Sequence, residues 1–190
     1  ALRECALPTL SLDWVRRHVG RGIRELVRDA AGPGVAPAVA RRTGHLFLAY
    51  YRASFLEETP PVPGARDVVA HVSARCRGRV AVGSNKRSEL SRAWLERWEL
   101  ARLVCRVVGP DTYGARKPDP GAIVPLLAEL GVTPAQALLV GDMAVDAAAG
   151  QAIGIPTLGV RQPFIPQESL RQAGMQAVLF DLRDLPGWLA

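Results

Sequence analysis

Cysteine is scarce in this sequence. Three occur in 190 residues, Cys5, Cys76 and Cys105, an odd number with no Cys-x-x-Cys pair. That excludes a disulfide framework and a cysteine zinc site, and it suits a reducing cytoplasm. Histidine is equally sparse. His18, His45 and His71 lie far apart and form no His-Glu-x-x-His pattern, so each reads as a packing or surface residue. No apolar run approaches the ~20 residues that span a bilayer. The start, Ala1-Leu2-Arg3-Glu4-Cys5, lacks the basic-then-apolar order of a secretion signal, and it does not begin with Met. Lysine is nearly absent. Lys and Arg total 24, yet only Lys86 and Lys117 are lysines. A composition that prefers arginine so strongly draws attention to the two places where it does not use it.

What is present is ordinary for a globular chain: 48% hydrophobic, 22% charged and 6% aromatic residues. This excludes disorder, collagen-like repeats and a coiled coil. The length fits one domain, or one domain with an inserted lobe, and is enough to bury a core. A net charge of +6 and a pI near 9.9 favour anionic partners. The arginines are nevertheless spread along the chain beside acids, as in Arg92, Glu96 and Arg97, with no basic stripe and no interleaved aromatics. A nucleic-acid surface is therefore disfavoured.

The chain divides at Pro60-Pro61-Val62-Pro63-Gly64, a stiff stretch poor in backbone donors. Before it the pattern is helical. Ser11 is placed to cap a helix through Val19, Ile23–Ala30 has helical spacing, and a longer helix is expected from Pro37 to Glu58. After it, helices alternate with short apolar strands. Helices are expected over Arg66–Cys76, Ser88–Leu100, Pro120–Leu130 and Val145–Ile153. Strands are expected over Arg79–Gly83, Leu103–Val108, Ala137–Gly141, Pro156–Val160 and Ala177–Phe180. Strands that are apolar throughout and alternate with helices imply a parallel sheet covered on both faces.

Ligands of such sheets sit at the carboxyl ends of the strands. Ser84-Asn85-Lys86 follows the first strand and Gly109-Pro110-Asp111 the second. Arg116-Lys117-Pro118-Asp119 comes a little later, and Gly141-Asp142-Met143-Ala144-Val145-Asp146 follows the third. A hydroxyl, free amides, an ammonium and two carboxylates on one rim suit a phosphate held beside Mg²⁺. The bland alternatives are that Ser84, Asp142 and Asp146 cap the helices that follow and that Lys117 is a surface residue. Two acids four apart at a strand end, and the rarity of lysine, favour the site.

These segments resemble the motifs of the haloacid dehalogenase (HAD) superfamily, in its phosphoglycolate phosphatase-like branch. Val80–Lys86 is similar to the second motif, Lys117-Pro118-Asp119-Pro120 to the third, and Leu138–Asp146 with Ala147–Gly150 to the fourth. Val62-Pro63-Gly64 resembles the return from cap to core, and His18–Gly22 a loop of the cap. Each is weak alone; three in order, each after an expected strand, are specific. The resemblance implies an α/β fold, a HAD-like Rossmannoid parallel-sheet core over residues 61–190 with a small α-helical cap over residues 1–60. It implies a Mg²⁺-dependent phosphomonoesterase acting on a small phosphorylated metabolite, phosphoglycolate first, with no membrane partner. Ser84 and Lys117 would be catalytic, Ser84, Asn85 and Lys117 would bind the phosphate, and Asp142 and Asp146 would hold the metal. Arg16, Arg17 or Arg21 could meet a substrate carboxylate, though a solvated role is the stronger reading.

The first HAD motif, Asp-x-Asp-x-Thr, is absent. By the resemblance its first Asp would be the nucleophile that forms an aspartyl-phosphate and its second the general acid/base. Its strand would be the central one, between those bearing the second and fourth motifs, so the sequence is expected to be N-terminally incomplete. The alternative is a non-catalytic phosphate-binding or interaction protein of the same fold. Ala177–Leu185 superficially resembles the lost motif, but Arg183 stands where the second Asp belongs and no Thr follows.

Overall fold

The fold is a helical segment followed by an α/β segment. A computed structural model describes residues 1–189, and its contacts divide the chain into two units, Ala1–Pro60 and Pro61–Ala190. The first unit holds α1 (Leu12–His18), α2 (Ile23–Ala31) and α3 (Pro37–Glu58) after a short 3₁₀ turn. Ser11 caps α1 as expected, its hydroxyl accepting from the Trp14 amide at 3.1 Å. Phe47, Tyr51 and Phe55 recur every fourth residue of α3 and stack on one another, with Phe55 buried. Tyr50 donates to Glu4 at 2.7 Å and ties α3 to the leading turn.

The second unit alternates α4 (Ala65–Arg75), β1 (Ala81–Gly83), α5 (Ser88–Arg97), β2 (Arg106–Val108), α6 (Pro110–Tyr113), α7 (Val124–Leu130), β3 (Leu139–Gly141), α8 (Ala144–Ile153), β4 (Thr157–Val160), α9 (Gln167–Gln172), β5 (Ala177–Leu179) and α10 (Leu185–Trp188). All strand pairs are parallel, as continuous apolar strands separated by helices require. The strands form two sheets. β1 pairs with β2 in one, and the order β3-β4-β5 makes the other. Among the described residues β1 and β3 therefore each have one free edge, and both are half-buried along their length. Val107, Val108 and Thr157–Gly159, on their neighbours, are buried.

The core is divided accordingly. Val68, Leu158, Leu179 and Leu185 pack α4 and α10 against the larger sheet, and Ile123, Leu127, Ala149 and Ile155 pack on its other side. Leu95, Leu100 and Val107 close α5 over the smaller sheet. Gly150 lets α8 lie against β4. A Cβ there would collide with the Thr157 hydroxyl and lie 2.9 Å from the Ile155 carbonyl.

Several boundaries differ from the sequence reading. The segment expected as one helix over Pro120–Leu130 is a 3₁₀ turn, Pro120–Ala122, and then α7. Pro125 lacks an amide donor and sits in the first turn of α7, so it starts a helix rather than continuing one. α5 stops at Arg97 because Glu99 turns left-handed, at φ 56°, and delivers Leu100 into the core. The strands are shorter than their apolar runs, and α6, α9 and α10 are short helices in segments without a helical pattern in the sequence reading.

Replacing Gly150 with Ala forces α8 away from β4. The expected loss is about 1–3 kcal/mol, typical of an overfilled core. Urea unfolding of the variant against the parent measures it.

Candidate functional site

Each expected site residue stands at the carboxyl end of a strand or in the loop that joins two of them. Ser84 follows β1. Its amide extends the pairing with β2 by donating to the Val108 carbonyl at 3.1 Å, and its Oγ accepts from the Lys86 amide at 3.1 Å. That hydroxyl closes a tight turn. It does not cap α5, which is capped from elsewhere: Asp111, just past β2, accepts from the Ser88 amide and from the Ser88 hydroxyl, each at 2.8 Å. Gly109 makes this approach possible, since a Cβ there would lie 2.5 Å from the Lys86 carbonyl and 2.6 Å from the Ser88 nitrogen. Asp111 is thus a structural member of the rim that the sequence reading did not assign. Burial would raise its pKa, but the two bonds from Ser88 outweigh that and hold it below the usual carboxylate range.

Asn85 faces the loop before α7. Its Oδ1 accepts from the Lys117 amide at 2.8 Å and its Nδ2 donates to the Lys117 carbonyl at 3.0 Å. Lys117 in turn reaches to the end of β3, where its Nζ donates to Asp146 Oδ1 at 2.6 Å. The two side chains are 12% and 7% exposed, so this is a nearly buried ion pair rather than a surface contact. The other oxygen of Asp146 accepts from the amides of Asp142 and Met143, both at 3.1 Å, at the start of α8. Gly141 provides the space, because a Cβ there would collide with the Asp146 carboxylate. Asp146 therefore caps the start of α8 and pairs with Lys117 at once.

Asp142 differs. Burial pushes its pKa up, and the negative charge of Asp146 adds to this; its own amide and the Lys117 charge oppose the rise only in part. An anion held in this way lacks a full counter-charge. Among the described residues no group of three or more His, Cys, Asp or Glu side chains could enclose a metal. The donor set nonetheless fits Mg²⁺, which is commonly held by one or two carboxylates together with waters and phosphate oxygens. In this set Asp142 is the carboxylate without an ion-pair partner, whereas Asp146 is engaged by Lys117.

The remaining candidates separate clearly. In the helical unit Arg16 pairs with Asp13 at 3.2 Å and Arg21 with Asp29 at 2.6 Å, while Arg17 is exposed. Asp181, in the segment that mimics the missing motif, follows β5 at the outer edge of its sheet. It accepts from the Arg183 amide at 2.8 Å and from its guanidinium at 2.9 and 2.6 Å. These bonds hold it at a pKa of about 2, and they make it a local cap.

The chain is similar to known hydrolases in sequence and in fold. The family model for haloacid dehalogenase-like hydrolases matches residues 1–160. A phosphoglycolate phosphatase of Rhodospirillum rubrum is 34% identical, with 99% of this chain and 80% of the relative covered. One of Pseudomonas putida is 32% identical, with 98% and 70% covered. Among solved structures, a haloacid dehalogenase-like hydrolase of Streptococcus pneumoniae superposes with a TM-score of 0.85 at 15% identity, covering 100% of this chain and 86% of that one. A predicted phosphoglycolate phosphatase of Haemophilus somnus gives 0.84 at 21% identity, covering 100% and 87%. At those identities the structures speak to the fold.

Two outcomes are expected. Lys117→Met leaves the Asp146 charge buried without its cation and destabilises the protein by about 3–5 kcal/mol, whereas pairing it with Asp146→Leu restores much of the loss; denaturant midpoints read both. Asp181 has a depressed folded pKa, so its contribution to stability is complete above its unfolded pKa near 4 and is lost as pH falls through about 2. Carboxyl NMR titration should place its midpoint there, and Arg183→Ala should return it towards 4.

Proposed function

The chain belongs to the haloacid dehalogenase-like hydrolases, and from that membership we propose that it binds and hydrolyses a small phosphorylated metabolite with Mg²⁺, phosphoglycolate being the first candidate. The observation that carries this reading is the linked set at the strand ends. Asn85 holds Lys117, Lys117 meets Asp146, and Asp142 stands beside them without a cation of its own. In this reading the Ser84 hydroxyl and the Asn85 amide bind phosphate oxygens. The Lys117 ammonium offsets their charge. Asp142 is the principal metal ligand, with Asp146 supporting it. Mg²⁺ would supply charge neutralisation at the phosphate. Residues 1–60 would serve as the cap that excludes water. The curated relatives named phosphoglycolate phosphatase support the substrate class.

Hydrolysis by the route the resemblance implies needs an aspartate. The phosphorus–ester oxygen bond would break as a phosphorus–carboxylate bond forms, the leaving oxygen taking a proton from the motif's second Asp; water, giving a proton back to that Asp, would then cleave the latter bond to inorganic phosphate. No Asp-x-Asp pair occurs in the 190 residues. The free edges of β1 and β3, the strands that lead to Ser84 and Asp142, are where a strand carrying it would pair. The second reading is a phosphate-binding protein without turnover.

One experiment separates them. Mg²⁺ with inorganic phosphate should raise the Tm of the chain, by about 2.7 kcal/mol of stability at a hundredfold excess over Kd, and Asp142→Ala should abolish the shift. A form extended ahead of Ala1 by an Asp-x-Asp-x-Thr strand should then release phosphate from phosphoglycolate. Binding without release in the extended form selects the second reading, and absence of binding in the parent defeats both.

A further inference from the structure

We propose that the Asn85 side chain is a positioning residue: it clamps the main chain of Lys117 and so keeps the Lys117 ammonium on Asp146, at the mouth of the site. The family-based reading gives Asn85 a role through its amide. The geometry gives its side chain a different one. The carboxamide makes two reciprocal bonds to a single residue 32 positions away, with Oδ1 accepting from the Lys117 amide and Nδ2 donating to the Lys117 carbonyl. A backbone N–H only donates and a C=O only accepts, so the orientation of the amide is determined by its partners. No other side chain of this length does both tasks. Aspartate accepts only, and serine reaches neither pair at once. Asn85 is also the sole asparagine of the sequence.

The clamp is anchored on its own side. The preceding Ser84 amide is bonded to β2 and the following Lys86 amide to Ser84 Oγ, so Asn85 stands on a closed turn. On the other side, a lysine side chain has four flexible torsions and does not hold a direction unless its Cα is also held. Asp146 fixes the ammonium and Asn85 fixes the backbone. Between them they link the end of β1 to the end of β3, two strands with no direct pairing. The importance of this for turnover rests on the phosphatase reading, but the clamp itself can be tested without it.

The chain has two lysines, so [¹⁵N]lysine labelling of the 190-residue chain gives two backbone amides and two ammonium groups, assigned with Lys86→Arg. In the parent, the Lys117 amide and ammonium should exchange slowly with solvent. In Asn85→Ala, both should exchange about 10-fold faster or more, the loss expected of one hydrogen bond, while protection elsewhere in the chain is kept. Asn85→Asp retains the acceptor and should rescue the Lys117 amide, a selectivity that a general loss of structure would not produce. Should Asn85→Ala fail to fold, Asn85→Leu preserves volume and reads the same quantity. Parent-like exchange of the Lys117 ammonium in a folded Ala or Leu variant overturns the proposal. So does equal loss of amide protection in the Ala and Asp variants. Titration with inorganic phosphate and Mg²⁺ reports separately on function: if Lys117 in the parent does not respond, the phosphatase reading fails while the exchange data still decide the clamp.

Discussion

The nearly buried contact between Lys117 and Asp146 is the interaction on which the rim depends. Two opposite charges removed from water are costly apart and tolerable together, provided that the remaining hydrogen-bonding capacity is also met. Here it is met. Asp146 takes its second set of bonds from the amides of Asp142 and Met143, and Lys117 is held through its backbone by Asn85. Gly141 is the condition for this, since any side chain there would occupy the space of the carboxylate. The consequence is that Asp142 is left as a carboxylate with its pKa raised, next to a neighbour of the same charge. A site with that imbalance favours a cation.

The second constraint is topological. Parallel strands present their carboxyl ends on one side, so loops distant in sequence converge there. In this chain the convergence occurs although the strands belong to two separate sheets. The joining contacts at that end are side-chain bonds: Asn85 with Lys117, and Lys117 with Asp146. On the β2 side, Asp111 performs a similar task by capping α5 through Ser88 and steadying the loop that carries Ser84 and Asn85. Gly109 lets the two loops approach.

Much of this was legible in the residues. The alternation of apolar strands and helices indicated a parallel α/β core, and the rarity of lysine singled out Lys117 before any geometry was known. The motif order led to the right family. Other features were not legible. Pro125 splits what reads as one helix, because a proline in a first turn starts a helix and its effect depends on where the previous turn ends. Asp111 is 23 residues from the helix it caps, and no spacing rule links a cap to a helix on another strand's loop. The Asp181 segment imitates a motif in sequence, but Arg183 folds back to neutralise it.

By itself the sequence determined the alternation of apolar strands with the longer helices, and the residue types that could bind a phosphate and a divalent ion. These are properties of local pattern: apolar periodicity, turn residues, and acids or a lysine just after a strand. The division of labour among those residues was decided only by the tertiary structure. Asp142 and Asp146 are four apart on one short segment, yet Lys117 forms its ion pair with Asp146 and reaches Asp142 only through its charge. Asn85 could have faced a ligand; it binds a backbone instead. Pairing of this kind is a matter of distance and burial, and distance across a sheet is not written in sequence spacing.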